Sequence, residues 1–300
     1  MKNNFDAVVI GGGAAGLSGA LMLARSRRTV VVVDSGTPRN APAHGVHGLL
    51  GHDGIPPSEL LKRGREEVRS YGGEIIDGEV SSAEPDGDGF TVTLAGGQAL
   101  RARRLLVATG LRDELPDVPG LARHWGCGLV HCPYCHGWEV RDEPIGVLAV
   151  GPASVHHAVL FRQLTDDLVY FTNGTGLDDA TRARFAGKGI RVVDTPVAAV
   201  ETDGDEITGV RLAGGEVVPR RVIAVMTRMF ARTDGIEGLR LPMADLPDGL
   251  GRHFVTGAAG STAVPGVWVA GNATDPTAQV GASAAAGALA GARINADLLS

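Results

Sequence analysis

Short apolar runs alternate with glycine-rich turns along the first part of the chain. The run Phe5–Ile10 ends in three consecutive β-branched residues and predicts a strand that is buried on both faces. After a glycine-rich turn at residues 11–16, apolar positions recur at helical spacing, at Leu17, Ala20, Leu21, Leu23 and Ala24. A second apolar run, Val30–Val33, then ends at Asp34. These patterns together predict a complete β-α-β unit.

The same order of patterns returns in the middle of the chain. Ile145–Val150 predicts a strand, Gly151-Pro152 a turn, Ser154–Leu164 a helix and Leu168–Phe171 a second strand. Other apolar runs predict strands at Val80–Leu94 (with a turn at residues 86–89), Leu100–Val107, Ile190–Val193, Ile207–Leu212, Val217–Val225 and Gly266–Gly271. The small-residue segment Gln279–Leu299 predicts a buried closing helix.

Two similar β-α-β openings predict an α/β fold with two Rossmann-like, three-layer domains. The second domain is expected to be inserted into the first. We place the first domain at residues 1–115 and 245–300 and the inserted domain at residues 118–242, with Pro116–Pro119 as a linker.

The first glycine-rich turn carries the spacing of a dinucleotide-binding loop. Gly11, Gly13 and Gly16 provide a tight turn, a close approach of the backbone to a pyrophosphate, and close packing of helix against strand. A phosphate at this place lies at a helix N-terminus, where free N–H groups favour negative charge. Asp34 stands at the end of the next strand, where a carboxylate can bind ribose hydroxyls.

A second candidate site is the segment His131-Cys132-Pro133-Tyr134-Cys135-His136. A Cys-x-x-Cys pair can cycle between dithiol and disulfide, and the flanking histidines can move the protons that such cycling needs. The same residues are compatible with c-type haem attachment, with zinc ligation, with a glutaredoxin-type pair, or with two merely buried thiols. Cys127 is expected to be a buried small hydrophobe, with a resolving thiol as the lesser alternative.

Composition narrows the class of protein. The 300 residues carry a net charge of -6 and only three cysteines. We therefore expect no nucleic-acid partner, no membrane span and no disulfide framework. We expect no metal site, since the histidines of the loop after Asp34 are explained as loop residues. The N-terminus lacks the pattern of a signal peptide, so a cytoplasmic location is expected.

The N-terminal third, together with Ala108-Thr109-Gly110 and the segment Gly266–Asn272, resembles the FAD domain of the low-molecular-weight thioredoxin reductase family. The resemblance extends over nearly the whole chain and implies FAD as the cofactor. Asn272 stands where that family has an aspartate. The FAD contacts implied by the resemblance and by the glycine loop are Gly11, Gly13, Ala14, Ala15, Gly16, Asp34, Ser35, Arg39, Asn40, His47, Val80, Ala108, Thr109, Gly110, Gly271, Asn272, Gln279 and Val280.

The same resemblance assigns roles around the cysteine pair. It implies that Cys135 lies next to the flavin C4a and that Cys132 exchanges with the substrate. His136 replaces the acid/base aspartate of the family and can accept a proton near neutral pH, with His131 as the alternative base.

The second loop, which in thioredoxin reductases binds NADPH, departs from the family pattern. It contains Gly151-Pro152-Ala153-Ser154-Val155-His156, and we interpret Ala153 as a methyl in the place of a pyrophosphate and His156 as a clash with the neighbouring strand. No arginine cluster follows the next strand. We therefore expect NADPH to bind poorly.

These features resemble the thioredoxin reductase-like dithiol oxidases of gliotoxin and holomycin type, which also share Cys-x-x-Cys-His-Gly. The resemblance implies oxidation of a small-molecule dithiol to a disulfide, with O2 as acceptor and H2O2 as product, in a homodimer. Alternatives are an NADPH-dependent disulfide reductase, a ferredoxin-linked flavin enzyme and a slow redox sensor.

Overall fold

The computed structural model describes residues 3–300. The N-terminal segment forms β1 (Asn4–Ile10), α1 (Ala14–Arg25), β2 (Val30–Asp34), α2 (Pro57–Ser70), β3 (Glu74–Asp77), β4 (Val80–Asp86), β5 (Gly89–Leu94), β6 (Ala99–Val107) and β7 (Leu111–Glu114). The central segment forms β8 (Leu129–Val130), α3 (Pro133–His136), β9 (Ile145–Leu148), α4 (Ala153–Phe161), β10 (Leu168–Phe171), α5 (Asp179–Gly187), β11 (Arg191–Val193), β12 (Val197–Asp203), β13 (Glu206–Leu212), β14 (Val217–Pro219) and β15 (Val222–Val225).

The C-terminal segment forms β16 (Arg228–Ala231), β17 (Met243–Asp245), β18 (Gly251–Phe254), β19 (Val267–Val269) and α6 (Val280–Asp297). Short 3-10 turns lie at Ala122–His124, Glu237–Leu239, Pro247–Gly249, Ala258–Gly260 and Gly271–Ala273. The predicted opening unit and the predicted closing helix are both present.

The first sheet has the strand order β3-β2-β1-β6-β5-β4, with β19 also paired to β6. Strands β3, β2, β1, β6 and β19 pair in parallel, whereas the β4–β5 and β5–β6 pairings are antiparallel. The small residues of α6 let it cross closely over α1, because a Cβ on Gly287 would meet the Ala15 carbonyl oxygen at 1.9 Å. This contact holds the N-terminus of α1, and with it the first glycine loop, against the sheet.

The second sheet has the order β11-β10-β9-β15-β8, and its pairings are all parallel. One face packs on the antiparallel sheet β12-β13-β14 through apolar side chains such as Leu148 and Ile207. The other face packs on α4 and α5 through Phe161 and Phe185. The antiparallel sheet, the parallel sheet and the two helices form the three layers of a Rossmann-like fold, as predicted.

A four-stranded sheet of order β17-β18-β16-β7 joins the two halves. Within it, β16 pairs antiparallel with β7. Ala231, Ile236 and Leu239 pack into the core of the first sheet. The division into residues 1–115 plus 245–300 and residues 118–242 stays a prediction. The packing favours an inserted unit that ends near Val225, because the chain returns to the first core directly afterwards.

Several local predictions need correction. The run Val217–Val225 is not one strand: it breaks at Arg220, which is buried and pairs with Asp167 at 2.6 Å, so that β14 and β15 belong to different sheets. The mainly polar helices α2 and α5 and the short strand β3 were not predicted, because their apolar faces are narrow.

Candidate active site

The first glycine loop has the backbone conformation that its glycines predict. Gly11 has φ of +106°, and a Cβ there would meet the Ala108 carbonyl oxygen at 2.3 Å. A Cβ on Gly16 would meet the Gly11 carbonyl oxygen at 1.8 Å, whereas a Cβ on Gly13 would meet nothing within 4 Å. Gly11 and Gly16 therefore serve packing inside the loop, and Gly13 leaves open space on the cavity side.

Asp34 ties the loop to the end of β2. Its side chain is almost fully buried, accepts a hydrogen bond from the Gly12 N–H at 3.1 Å, and forms an ion pair with Arg65 of α2. Helix α1 begins after Gly13 with no side-chain cap and no acidic residue in its first turn. Its first N–H groups therefore stay available to an anion.

One cavity of about 810 Å³ runs from this loop to the cysteine pair. All of the sequence-predicted site residues line it except Gly16 and Gly110, which lie in its supporting backbone. Three features of this cavity fit a dinucleotide: the uncapped N-terminus of α1, the buried carboxylate of Asp34 at a strand end, and the large concave space. FAD therefore fits the residues present.

The cysteine pair lies in the wall of that cavity. Cys132 and Cys135 form a disulfide, with their Cα atoms 5.2 Å apart, and Cys132 directly precedes α3. The Gln279 amide nitrogen, at the residue before α6, lies 4.0 Å from the Cys135 sulfur. Cys135 is thus the cysteine that faces the N-terminus of α6.

The ring of His136, beside the pair, has no hydrogen-bond partner at either nitrogen. It lines the cavity. Burial is the main cause that lowers the pKa of His136, and the neighbouring His47 and His44 lower it further, against the opposing effect of Glu139. A neutral imidazole with an unused lone pair can take a proton from a thiol at neutral pH.

His131 is fixed differently. Its Nδ1 atom lies 3.1 Å from the Val225 carbonyl oxygen. Burial, followed by the charge of Arg39, lowers the pKa of His131. An imidazole that is already hydrogen-bonded to the backbone is better suited to holding the segment before Cys132 than to moving protons.

His157 of α4 is a site residue that sequence reasoning missed. Its Nε2 atom lies 2.5 Å from the His131 carbonyl oxygen, and burial lowers the pKa of His157 to about 4. The neutral ring donates to the peptide that precedes Cys132. The sequence did contain a clue to this role. His157 falls on the apolar face of the predicted helix, three residues after Ser154 and four before Phe161.

Arg39 and Asn272 line the cavity with most of their polar groups already engaged. Arg39 makes two hydrogen bonds of 2.6 Å to Asp113, which also accepts one from Thr227. The Asn272 amide nitrogen donates to the carbonyls of Asp275, Pro276 and Ala278. A carboxylate at this position could not donate to them, which explains an amide where the resembled family has an acid.

The register assigned to the second loop was wrong. The Ala149 N–H bonds the Phe171 carbonyl just as the Gly11 N–H bonds that of Val33, so Ala149 corresponds to Gly11. Gly151 then corresponds to Gly13, and the buried Ser154 corresponds to Gly16. Ala153 is not the second glycine position, and His156 is exposed and clashes with nothing.

The corrected register still departs from a nucleotide loop. Ala149 lacks the positive φ of Gly11, and Pro152, at the position of Ala14, has no N–H to offer. The Ser154 hydroxyl accepts the Val150 N–H at 3.0 Å, whereas the corresponding Gly12 N–H bonds Asp34. Thr172 replaces Asp34 at the strand end, so no carboxylate stands there for a ribose.

The position of Cys127 decides one further expectation. Cys127 is exposed, which contradicts the expected burial, because its turn lies at the surface before β8. Among residues 3–300, no group of three or more His, Cys, Asp or Glu side chains is placed to hold a metal ion. No helix in that range is both long and apolar enough to cross a membrane.

A glycine loop, a buried strand-end carboxylate and a disulfide in one cavity define a thiol–disulfide oxidoreductase of the dinucleotide-binding kind. The family described as pyridine nucleotide-disulphide oxidoreductase matches residues 5–290, and the chain belongs to this family. Its members and their thioredoxin reductase relatives are FAD-binding flavoproteins, and this chain is a flavin thiol/disulfide oxidoreductase.

Individual relatives agree with this assignment. Thioredoxin reductase sirT of Leptosphaeria maculans is 30% identical over 97% of this chain and 93% of its own length. Thioredoxin reductase tcpT of Claviceps purpurea is 37% identical over 58% of this chain, and the match spans 57% of tcpT. The crystal structure of HlmI is 46% identical, with a TM-score of 0.92 over 100% of this chain and 94% of that chain.

Proposed function

We propose that this protein oxidises a small-molecule dithiol to an intramolecular disulfide, with O2 as the electron acceptor and H2O2 as the second product. The observation that carries the proposal is the Cys132–Cys135 disulfide in the wall of the cavity that fits FAD. The similarity to sirT, which is named a thioredoxin reductase, supports a reaction at sulfur.

The cysteine pair performs the thiol chemistry. A substrate thiolate attacks the Cys132 sulfur, the Cys132–Cys135 bond breaks, and Cys135 leaves as a thiolate. The second substrate thiol then attacks the substrate sulfur of the mixed disulfide, which releases the cyclic disulfide and the Cys132 thiolate. Two electrons have passed from the substrate to the pair, and we assign to His136 the acceptance of a proton from an attacking thiol.

The residues that would hold FAD are those of the first loop with Asp34, and Gln279 and Val280 at the start of α6. When bound there, FAD supplies two-electron acceptance and the transfer of that pair to O2, so that the net reaction converts a dithiol and O2 into a disulfide and H2O2. We also propose that the enzyme works in the cytoplasm, in keeping with its few cysteines, and as a homodimer, in keeping with its resemblance to the thioredoxin reductase family.

The direction of electron flow is supported by the second loop. Ala149, Pro152 and Thr172 remove three features that a pyrophosphate and a ribose require. An NADPH-dependent disulfide reductase is the second candidate, because sirT and tcpT are named thioredoxin reductases.

Anaerobic stopped-flow reduction of the bound flavin separates the two candidates. We expect rapid loss of flavin absorbance with dithiothreitol and only slow loss with NADPH. Reoxidation by air is expected to yield one H2O2 for each disulfide formed. Rapid reduction by NADPH would instead identify a reductase, and the proposal would be withdrawn.

A further inference from the structure

A second cavity lies next to the segment that contains the cysteine pair. It is open to solvent, has a volume of about 450 Å³ and is lined by His47, Gly48, Asp53, Tyr134, Trp138 and Glu139. No part of the proposed electron transfer uses this space. Its position and its side chains therefore require a separate explanation.

The second cavity lies beside the short helix that carries the disulfide. Tyr134 is one of the two residues between Cys132 and Cys135 in the chain, so the cavity lies against the same short helix as the reactive sulfurs. His47 lines both cavities and separates them. A small molecule with one sulfur at Cys132 can thus extend its remaining atoms into this space.

Two large aromatic side chains are left open to the cavity. Tyr134 is 68% exposed and Trp138 is 67% exposed, in a chain whose aromatic content is only 4%. The Arg141 guanidinium lies 4.2 Å from the centre of the Trp138 ring and donates a hydrogen bond to the Trp138 carbonyl. One face of the indole is therefore covered and held, and a flat ring on the other face would gain aromatic contact.

The polar lining is acidic. Asp53 accepts a hydrogen bond from the Gly48 N–H at 2.8 Å, and these contacts with Gly48 and His47 lower the pKa of Asp53. The Glu139 Oε1 atom lies 3.3 Å from the Nε2 atom of His47. The lining contains two carboxylates and no lysine or arginine. The two carboxylates disfavour an anionic scaffold here, whereas a scaffold without negative charge can donate hydrogen bonds to them.

We propose that the second cavity is the scaffold subsite of the dithiol substrate, and that the substrate class is a dithiol carried on a flat ring without negative charge. Tyr134 and Trp138 contact the ring, and Glu139 selects against negative charge. This inference rests on the proposed dithiol oxidation.

The test compares an aromatic dithiol, benzene-ortho-dimethanethiol, with dithiothreitol on the flavin-loaded enzyme. The quantity measured is the ratio of their kcat/KM values, from O2 consumption. We expect Trp138→Ala to lower this ratio by about two- to tenfold, because an aromatic contact of this kind contributes that much to binding. Trp138→Phe is expected to recover most of the loss, since it restores a ring.

Tyr71→Ala is the matched control. Tyr71 is also an exposed aromatic residue under an arginine, with the Arg25 guanidinium 4.8 Å from its ring centre, but it lines neither of the two cavities. We expect its ratio to equal that of the wild type. An unchanged ratio in Trp138→Ala, with dithiothreitol still oxidised, would overturn the subsite while leaving the proposed function intact.

Charge selection is tested with dihydrolipoamide and its anionic analogue dihydrolipoate. We expect Glu139→Gln to raise kcat/KM for the anion relative to the amide, because one negative charge is removed where the tail of the substrate lies. No change in this ratio would overturn the acidic part of the subsite. Failure of the wild type to oxidise any of the four dithiols would instead refute the proposed function.

Discussion

The two β-α-β units of this protein share a topology but differ in what their loops can hold. Both begin with a buried parallel strand. The N–H of the residue after that strand, Gly11 in one unit and Ala149 in the other, donates a hydrogen bond to a carbonyl of the neighbouring strand. In the first unit, φ at Gly11 is positive, Ala14 offers an N–H at the start of the helix, and Asp34 stands at the strand end. In the second unit, Ala149, Pro152 and Thr172 occupy the corresponding places.

The comparison teaches that topology alone does not make a nucleotide site. A pyrophosphate needs backbone N–H groups and room for close approach, and a single proline or β-carbon removes one or the other. The second unit keeps its three layers and its core, so its loop has lost binding features without losing the fold. It instead carries the cysteine pair and, through His157, the support of the peptide before Cys132.

The largest effect is expected from removing the thiol nearer to Gln279. Cys135→Ser should abolish dithiol oxidation and leave FAD bound, since the first unit holds the cofactor without help from the pair. Activity is measured by O2 consumption and FAD content by absorbance. Cys127→Ser is the control, because Cys127 is exposed and unpaired, and it should behave as wild type. A Cys135→Ser enzyme that still turned over would remove the pair from the mechanism.

His136→Ala should lower kcat by about 10²–10⁴-fold, as for the loss of a general base. Because burial lowers the pKa of His136, the neutral, proton-accepting form prevails above a pKa that lies below the ordinary histidine value. The wild-type rate should therefore fall as the pH drops through that lowered pKa, and this inflection should vanish in His136→Ala. His156→Ala, on the exposed side of α4, is the control. Persistence of the inflection would assign the proton transfer elsewhere.

A matched pair of glycine substitutions tests the two loops directly. A Cβ on Gly13 or on Gly151 would meet nothing within 4 Å, so neither substitution strains the protein itself. Gly13→Ala should weaken FAD binding by about 10- to 100-fold, because the methyl enters the space that a pyrophosphate approaches. Gly151→Ala should leave FAD affinity and dithiol oxidation unchanged. Equal behaviour of the two variants in FAD titrations would contradict the comparison.

Much of this site could be predicted from sequence because short-range rules govern it. The glycine spacing, the strand-end acid and the Cys-x-x-Cys pair each depend on a few consecutive residues, and nearly all of the predicted residues meet in one cavity. Long-range contacts were not predictable in this way. Arg39 pairs with Asp113, which is 74 positions away in the chain. The role of Asn272 depends on the folded turn, in which its amide donates to the Asp275 carbonyl.

The second loop shows why local motif matching fails when a motif has decayed. Gly151 is the only glycine left in this loop, and the sequence does not show which glycine of the motif it corresponds to. Aligning it with the first glycine shifted the register by two residues. The backbone hydrogen bond from Ala149 to Phe171 fixes the register, because strand pairing is a property of the folded sheet.

The smallest effect concerns the hydroxyl that closes the second loop. Ser154 is fully buried and accepts the Val150 N–H, so Ser154→Ala leaves that donor without a partner. We expect the free energy of unfolding to fall by about 1–3 kcal/mol, measured by denaturant titration of the flavin-loaded enzyme. Ser70→Ala, whose hydroxyl is bonded to a carbonyl at the surface, should change stability by less than about 0.5 kcal/mol. Dithiol oxidation should be unaffected, and NADPH should still reduce the flavin slowly, because Ala149 and Pro152 remain. Rapid reduction by NADPH in Ser154→Ala would show that the Ser154 hydroxyl alone, and not the whole second loop, prevents the second unit from binding a nucleotide.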